Sequence, residues 1–484
     1  MKMTDAPLQI QTASKLAVLP PELLTEVLTL LTWKDILQMR CAQTCRLLAG
    51  ITRTRAIWAR LVMECISSAA YPPRLERPID MYTSDELEHL FLLWSSADVG
   101  WRRSDARPAR ARVSATRLPE KVHLVPGGRW LLVTSVQTGA VTYYDLDAET
   151  ISGVLLIPDQ IVRGGWFNLQ VAIDFHDESP VLSFTIALSL SDRSQDPNTF
   201  EWYDREIIQI WTVGVLLNES QKAVGLEARQ LAYFPHRPMI TTVLAISLLG
   251  STIAFRAFPP GSSTAYTYVV DWVHANQNPT MYAWRMLNPR RGSDSRMHLL
   301  PNSRLLILRD RNISLFDYST IPETTDMAPQ DEDSPWLDYT WTVKVSGFEP
   351  QASSIHFLNS NSARLVFIAD DILHSMIIDT DPHFPTTPPP IVALMDASFL
   401  DCRPPALGCN RGILVDHEHR AWLMHYALPN ADGTPGQASY IQKHISAELT
   451  PSVIKGQILD EQSGRVVIPD NFQMTVVDFA LVFS

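Results

Sequence analysis

A short pattern of β-type residues recurs three times in the second part of the chain. Each copy has an apolar residue, a histidine and two apolar residues, followed by a turn, an arginine and an apolar run. Short apolar runs bounded by turn residues are typical of β-strands. The copies begin at Val122-His123-Leu124, Met297-His298-Leu299 and Ile355-His356-Phe357. The recurrence predicts a unit of paired strands that is used several times.

A third strand follows each pair, and it usually ends in aspartate. A carboxylate there can accept backbone N–H groups in the next turn. The aspartates are Asp145, Asp271, Asp317, Asp379 and Asp478, and Ile207–Trp211 and Ala421–Tyr426 occupy the same phase without one. A fourth, outer strand is predicted at Tyr339–Val345, Pro390–Leu394 and Tyr440–Ile445. This gives seven units of up to four strands.

Four strands in a repeat of roughly 40–55 residues are typical of a β-propeller blade. We therefore predict a β-propeller of about seven four-stranded blades over residues 118–484, with six or eight blades as alternatives. A two-sheet sandwich has no use for seven such equal repeats. The region resembles degenerate WD-like propellers, although strict Gly-His…Trp-Asp repeats are absent. The whole chain is then multidomain, α followed by all-β.

The stretch Leu16–Val62 has a different texture and predicts short amphipathic helices. Pro20 and Pro21 suit the first turn of a helix, because the missing N–H groups cost nothing there. Thr32 with Asp35 predicts a capping box for the second helix. Apolar residues at helical spacing form a stripe on the first helix: Leu23, Leu24, Val27, Leu28 and Leu31.

This arrangement resembles the F-box, over residues 16–65. The matching residues are Leu19-Pro20, Glu22-Leu23-Leu24, Val27-Leu28, Leu31, Asp35-Ile36-Leu37, Thr44-Cys45-Arg46, Ile51, Ile57-Trp58 and Leu61. An ordinary helical subdomain would explain the leucines, but not the Leu-Pro opening, the Thr-Cys-Arg step and the late tryptophan together.

The resemblance implies a docking surface for a Skp-family adaptor and, through it, a cullin. So short a helical segment buries too little surface to use every leucine internally, so some apolar area should remain for a partner. By family position the partner-binding residues are Leu19, Pro20, Leu23, Leu24, Leu28, Ile36, Leu37, Trp58 and Leu61. Some of them must hold the helices together instead, and these residue types alone do not separate the two sets.

The remaining segments are predicted as an N-terminus and a linker. Residues 1–15 are polar and expected to be disordered. Residues 66–117 should form a helical linker, in which Ser84 caps a helix that fixes the F-box segment onto the β-rich region. The linker ends in a basic stretch, interpreted as solvated or, less simply, as a contact for acidic partners or RNA: Arg102, Arg103, Arg107, Arg110, Arg112 and Arg117.

Composition narrows the functional classes. The formal net charge of −12 argues against non-specific nucleic-acid binding. Five unevenly placed cysteines favour a reducing compartment, and we expect a cytoplasmic or nuclear protein. The uncharged stretch Pro238–Phe255 is nearly long enough to span a bilayer, but its turn-like Gly250-Ser251 favours two strands. No membrane association is expected.

No catalytic motif is present in the sequence. Walker, dinucleotide, nucleophile-elbow and zinc-protease patterns are all missing. Weak metal hypotheses rest on Cys402, Cys409, His417 and His419, on Asp370-Asp371 and Asp379-Thr380-Asp381, and on the histidines at 123, 298 and 356. Hairpin turns and equivalent blade positions explain these residues better, so we expect no metal, no cofactor and no enzyme.

The sequence therefore predicts a substrate-receptor subunit of a cullin-based, SCF-type ubiquitin ligase. The F-box would bind the Skp adaptor, and the propeller would bind an unknown protein target. One alternative is a scaffold that binds Skp outside any ligase. The other is a propeller enzyme tethered by its helical head.

Overall fold

The computed structural model describes residues 19–482 with internal gaps. The gaps are 42–45, 69–72, 104–107, 115–120, 161–165, 177–178, 196–201, 237–241, 259–264, 288–294, 310, 326–338, 382–386, 398–405, 416–420, 427–437, 444–455 and 470–472. The predicted disordered segment 1–15 lies outside the described residues.

Five helices form the N-terminal part, called the head below. They are α1 (Pro21–Thr29), α2 (Trp33–Cys41), α3 (Arg46–Ile51), α4 (Arg55–Ser68) and α5 (Ser84–Arg102). As predicted, α1 starts at the two prolines, with Pro20 as its N-cap. The Thr32 hydroxyl donates to Asp35 Oδ2 at 2.6 Å, and the Asp35 N–H points back to the hydroxyl. The capping box before α2 is therefore confirmed.

The start of α5 differs from the prediction by one residue. Its N-cap is Thr83, which forms a capping box with Glu86, whereas Ser84 is the first helical residue. The Ser84 hydroxyl instead donates to the backbone carbonyl of Arg53 in the turn before α4. Thr83 is the N-cap instead of Ser84 because Glu86, which completes the capping box, lies three residues after Thr83.

The described residues of the rest of the chain form seven sheets, in which every strand pair but one is antiparallel. Blade 1 consists of β2 (Lys121–Leu124), β3 (Trp130–Thr134), β4 (Val141–Asp145) and β5 (Gly153–Ile157). Blade 2 consists of β6 (Trp166–Phe175), β7 (Ser183–Gln195), β8 (Trp202–Leu217) and β9 (Ala223–Pro235). Blade 3 consists of β10 (Thr242–Leu249), β11 (Thr252–Phe258), β12 (Tyr266–Asp271) and β13 (Arg285–Leu287). A short helix, α6 (Trp272–Gln277), follows β12.

Blades 4–6 have the same order. Blade 4 consists of β14 (Ser295–Leu300), β15 (Arg304–Arg309), β16 (Asn312–Asp317) and β17 (Trp341–Lys344). Blade 5 consists of β18 (Phe348–Asn359), β19 (Ser362–Ala369), β20 (Ile372–Asp379) and β21 (Val392–Asp396). Blade 6 consists of β22 (Ala406–Leu407), β23 (Arg411–Val415), β24 (Ala421–Tyr426) and β25 (Ala438–Lys443). First strands of blades 2–6 contact one another in succession, as expected for strands around the axis of a propeller.

Blade 7 combines both ends of the region. It consists of β27 (Leu459–Asp460), β28 (Arg465–Pro469), β29 (Met474–Asp478) and, as its outer strand, β1 (Arg110–Ser114). A further short strand, β26 (Gly456–Gln457), runs parallel to β2 on the inner edge of blade 1. The predicted seven-bladed propeller is confirmed. Its predicted start at residue 118 is too late, because β1 pairs with a strand at the far end of the chain.

The basic stretch thereby acquires a structural role. Arg110 and Arg112 lie on β1, opposite Asp478 and Val476 of β29. The Arg112 guanidinium lies 3.6 Å from the Asp478 carboxylate. Neither the solvated linker nor the RNA contact that we considered describes these two residues, which help to close the ring.

The aspartates that end third strands hold both a turn and an arginine. Asp145 Oδ1 accepts the N–H of Asp147 at 3.0 Å, as predicted for a turn. Both of its carboxylate oxygens also bind Arg129, which precedes the second strand. The same pairing joins Arg304 to Asp317 and Arg465 to Asp478, directly across neighbouring strands. In these three blades the arginine is thus the partner of the aspartate, whereas Arg364 of blade 5 binds Ser375 Oγ and Asn410 Oδ1 instead.

Other predicted features fall where the blade pattern requires. Thr242–Leu249 and Thr252–Phe258 form a hairpin around Gly250, whose φ of +54° suits glycine. Among the described residues no helix is long and apolar enough to cross a membrane. Blade 2 is extended over residues 191–203, because the described residues of this range continue β7 and β8 as one long hairpin.

Candidate partner-binding site

Helix α1 carries two apolar stripes that face in different directions. Successive residues of an α-helix are rotated by about 100°, so positions three and four apart share a face. The inner stripe is Leu24, Leu28 and Leu31, and the outer stripe is Leu23, Val27 and Leu30. Leu24 is 1% exposed and packs in the core of the head. Leu23, Val27 and Leu30 are 46%, 42% and 85% exposed.

The structure divides the nine predicted partner-binding residues into two groups. Five are buried in the core of the head: Leu24, Leu28, Ile36, Trp58 and Leu61. Leu19 and Leu37 are half-buried against this core, and Pro20 and Leu23 are exposed. The nine residues therefore belong to one helical unit, but only part of the set reaches the surface of the isolated chain.

Two outer-stripe residues, Val27 and Leu30, were not among the predicted site residues. Leu47 of α3 is a third exposed apolar side chain of the head that was missed. The signal was available in the sequence, since six apolar residues between 23 and 31 make a stripe too wide to bury against one core. An apolar face left in water is typical of an interaction site.

The core beneath this surface is held by a polar bridge as well as by packing. Arg40 of α2 forms an ion pair with Glu88 of α5. Its Nη2 also donates to the Thr52 carbonyl at 2.9 Å, which accepts the Trp58 indole N–H at 3.0 Å. The three helices that support α1 are therefore linked to one another, so the outer stripe sits on a rigid base.

Residues 16–64 match the F-box-like family. The chain contains an F-box-like domain. A comparison with curated proteins finds no relative.

The propeller is similar to solved propellers at low identity. The matches include the Myceliophteria thermophila Cps50 (Swd1) β-propeller domain, at 10% identity over 76% of this chain and 99% of that one, with a TM-score of 0.43. The Dos1 propeller matches at 9% identity over 77% of this chain and 95% of that one, with a TM-score of 0.38. The WD40 domain of SCAP from fission yeast matches at 10% identity over 76% of this chain and 84% of that one, with a TM-score of 0.34. The seven-bladed fold rests on the sheet topology of the chain itself.

A half-buried carboxylate joins the head to blade 1. Glu76, in the segment between α4 and α5, accepts the Trp130 indole N–H at 2.7 Å and Arg129 Nη1 at 2.8 Å. Burial raises the pKa of Glu76, and Arg129 opposes that shift. Next to it, Arg77 donates to the Gln221 carbonyl of blade 2 at 2.6 Å. This segment of the predicted helical linker is therefore a joint between the head and the propeller.

The C-terminal half of α5 makes a second joint, with blades 6 and 7. Asp98 accepts Arg411 Nη2 of blade 6 at 2.5 Å. The ring of Trp101 lies 4.7 Å from that of Phe479, which directly follows β29. Gly100 faces the same backbone so closely that a Cβ on it would lie 1.7 Å from the Phe479 carbonyl oxygen. The F-box-like domain and the propeller are therefore held in one relative orientation.

Gly100→Ala should destabilise the protein, although alanine is the better helix former. Helix propensity alone would favour the alanine by about 1 kcal/mol. The clash with the Phe479 backbone should outweigh this and cost about 1–3 kcal/mol net. Gly50→Ala in α3 is the matched control, since nothing lies within 4 Å of its added methyl group. We expect denaturant unfolding to show opposite signs for the two variants; stabilisation by both would contradict the close approach.

A cavity of about 490 Å³ lies at this joint, and its lining was searched for catalytic chemistry. Its charged residues are largely occupied with each other: Arg411 binds Asp98 and the Glu461 carbonyl. Burial lowers the pKa of His425 and raises that of Cys65, the lining thiol. A raised thiol pKa disfavours the reactive thiolate. The arrangement does not resemble an activated nucleophile with its base.

Several of the residues behind the metal hypotheses have structural roles. Asp370 and Asp371 are the positive-φ residues of the β19–β20 hairpin turn. His356 bonds to Ser354 Oγ at 2.7 Å and to the Leu407 backbone of the next blade. Burial lowers the pKa of His123, His298 and His356 to about 4, 3 and 4.

No cluster of three metal-ligating side chains occurs within the described ranges. Burial raises the pKa of Cys409 to about 12, and Cys402, His417 and His419 lie outside the described residues.

Proposed function

We propose that the protein is a substrate-receptor subunit of a cullin-based, SCF-type ubiquitin ligase. The observation that carries the proposal is the outer stripe of α1, which exposes three apolar side chains within an F-box-like domain. The F-box-like domain would bind a Skp-family adaptor through this stripe, together with Pro20 and Leu47. The propeller would bind the protein target, and the chain itself would catalyse no reaction.

The size of the outer stripe is sufficient for specific docking. Burying one leucine or valine fully contributes roughly 1.5–3 kcal/mol, and a few central anchors dominate most interfaces. Exposed Glu22 and Glu26 lie beside the stripe on the same helix and would form a polar rim. Of the nine residues given by family position, the five buried ones would support adaptor binding by maintaining the packing of the head. The exposed ones would contact the adaptor directly.

The target should bind the propeller on the face away from the head. The head contacts connections between first and second strands, at Leu182 and Gly464, and one between third and fourth strands, at Gln221. In an antiparallel blade these connections share one face, and those between second and third strands lie on the other. The long β7–β8 hairpin belongs to that other face. Because two joints fix the propeller to the head, a target bound on that face would be held at a fixed distance from the ubiquitin-transfer machinery, which is a positional effect.

The decisive test replaces two residues of the outer stripe. Leu23→Asp combined with Val27→Asp should weaken adaptor binding at least about a hundredfold, because two anchors are lost and two charges enter an apolar contact. The head should stay folded, since both side chains are largely exposed. Met281→Asp with Val273→Asp, at exposed positions of the propeller, is the matched control. Calorimetric titration with purified adaptor measures the effect, and unchanged affinity of the stripe variant would refute the assignment.

Affinity purification of the unaltered protein from cells distinguishes a ligase subunit from a scaffold that binds the adaptor outside a ligase. Co-purification of adaptor together with cullin supports the ligase, whereas adaptor without cullin favours a scaffold outside it. We also propose a cytoplasmic or nuclear location, which the reducing environment suited to free Cys65 and Cys409 supports.

A further inference from the structure

The outer strand of blade 1 differs from the outer strands of the other six blades. An outer strand presents unpaired N–H and C=O groups, and proteins usually protect such an edge with charged residues, proline or a covering segment. Six outer strands contain a charged residue: Arg112 in β1, Glu227 in β9, Arg285 in β13, Lys344 in β17, Asp396 in β21 and Lys443 in β25. Strand β5, with the sequence Gly-Val-Leu-Leu-Ile, contains none.

The neighbouring blade shows how such an edge is covered in this protein. Asn276 of α6 accepts the N–H of Tyr233 at 3.1 Å and donates to the carbonyl of Leu231 at 3.3 Å, so part of the β9 edge is capped. In the part of the chain that the structure describes, no strand or side chain bonds to the outer edge of β5. A bulge at Leu156 leaves Gly153–Leu155 regular, opposite Tyr144–Thr142.

The side chains on this edge are apolar and open to solvent. Val154 and Leu155 are 46% and 59% exposed. Val154 is the cross-strand partner of Tyr143, whose hydroxyl closely approaches Gly225 of β9. Exposed Val224 and Leu216 flank Gly225, as its chain neighbour and its strand partner. The apolar surface therefore continues from β5 onto blade 2.

Charge along the chain on either side of β5 has one sign. No lysine or arginine occurs between Arg129 and Arg163. Asp145 and Asp147 in this interval are paired with Arg129 and Arg465. Glu149 and Asp159, one at each end of β5, are exposed, and neither forms an ion pair with a described residue.

We propose that β5 binds an extended segment of another protein by strand addition. The segment would have alternating apolar residues at its centre and basic residues at both ends. Backbone hydrogen bonds to Gly153–Leu155 would supply the pairing, and Val154 and Leu155 would select apolar side chains. Glu149 and Asp159 would select the flanking cations. This site is separate from the outer stripe of α1 and does not depend on adaptor binding.

A second copy of the chain fits this edge poorly. Antiparallel pairing of β5 with its own copy would place Glu149 opposite the region of Asp159, at both ends of the ladder. Like charges directly opposite each other destabilise a strand pair. A basic-flanked partner removes this repulsion and replaces it with attraction.

The test uses the full chain and a synthetic peptide of alternating valine and threonine with lysines at both ends. We expect saturable binding by fluorescence anisotropy, with slowed amide exchange at Gly153–Leu155. Leu155→Glu should weaken binding about tenfold, even though its added negative charge should attract the peptide. Tyr233→Glu, on the capped β9 edge, carries the same charge and should leave binding unchanged within about twofold.

Peptide controls work on the unaltered protein, so the test does not depend on the folding of a variant. Replacing the central valine by proline should abolish binding, because proline cannot donate to the ladder. Equal binding of the proline peptide, absence of binding, or protection elsewhere would overturn the proposal. Self-association that is lost in Leu155→Glu would also overturn it, in favour of a second copy. The double variant of the outer stripe should bind the peptide normally, which separates this site from the proposed adaptor contact.

Discussion

Leu24→Asp should unfold the head, whereas Leu23→Asp should leave it folded and remove only the docking anchor. The two leucines are chain neighbours, but Leu24 is 1% exposed and Leu23 is 46% exposed. Truncating a buried leucine costs about 2–5 kcal/mol, and placing a carboxylate without a partner in that cavity adds more. A total of at least about 5 kcal/mol is comparable with the whole stability of a small domain.

Amide exchange in α1–α4, measured alongside adaptor binding, distinguishes the two effects. Leu24→Asp should lose both exchange protection and binding, and Leu23→Asp should lose binding alone. Leu24→Ala serves as a milder control and should retain a weakened but folded head. If Leu24→Asp kept full protection of α1 and lost only adaptor binding, the side chain would be an interface residue and its burial in the core would be wrong.

This pair of leucines also shows how far the sequence could define the site. Helix starts and caps could be predicted because Pro20-Pro21 and Thr32 with Asp35 act within one helical turn. The apolar excess in α1 could be predicted from spacing alone. Which stripe faces inward depends on where α2, α4 and α5 pack, and that information is not local. The predicted site therefore mixed core residues with surface residues.

In the propeller too, features set by neighbouring residues could be predicted from the sequence, whereas features set by distant partners could not. Most third-strand aspartates could be recognised because they make a turn with their own chain neighbours, as Asp317 does with Ser319. Strand β1 could not be recognised, because its sequence alternates arginine with small residues and its partner β29 lies at the opposite end of the chain. Glu76 was missed for the same reason, since its partners Arg129 and Trp130 come from another domain.

Buried Arg465 links the two ends of the ring, and Arg465→Met should destabilise the propeller by about 3–5 kcal/mol. Arg465 Nε binds Asp478 Oδ1 at 2.6 Å, and its Nη1 binds Asp147 Oδ1 at 2.7 Å and the Gly128 carbonyl at 2.8 Å. It thus joins blade 7 to blade 1. Burial alone would lower the pKa of Arg465, but the two carboxylates raise it above its usual value. Methionine fills the space of the side chain but cannot replace its bonds to Asp478, Asp147 and the Gly128 carbonyl. Buried Asp478 then keeps only the more distant Arg112, at 3.6 Å, and breaking a buried pair carries a cost of this size.

Arg304→Met provides the matched control, because Arg304 occupies the equivalent position in blade 4. Its partner Asp317 is 26% exposed, whereas the Asp478 side chain is 4% exposed, so water can solvate the carboxylate left behind. We expect a cost of about 1 kcal/mol there. Asp478→Asn in the Arg465→Met background should recover part of the lost stability, since it removes the buried charge. Urea unfolding of the wild type, Arg465→Met, Asp478→Asn and the double variant gives the coupling energy. Arg304→Met is measured alongside, and equal costs at Arg304 and Arg465 would show that ring closure does not depend on this ion pair.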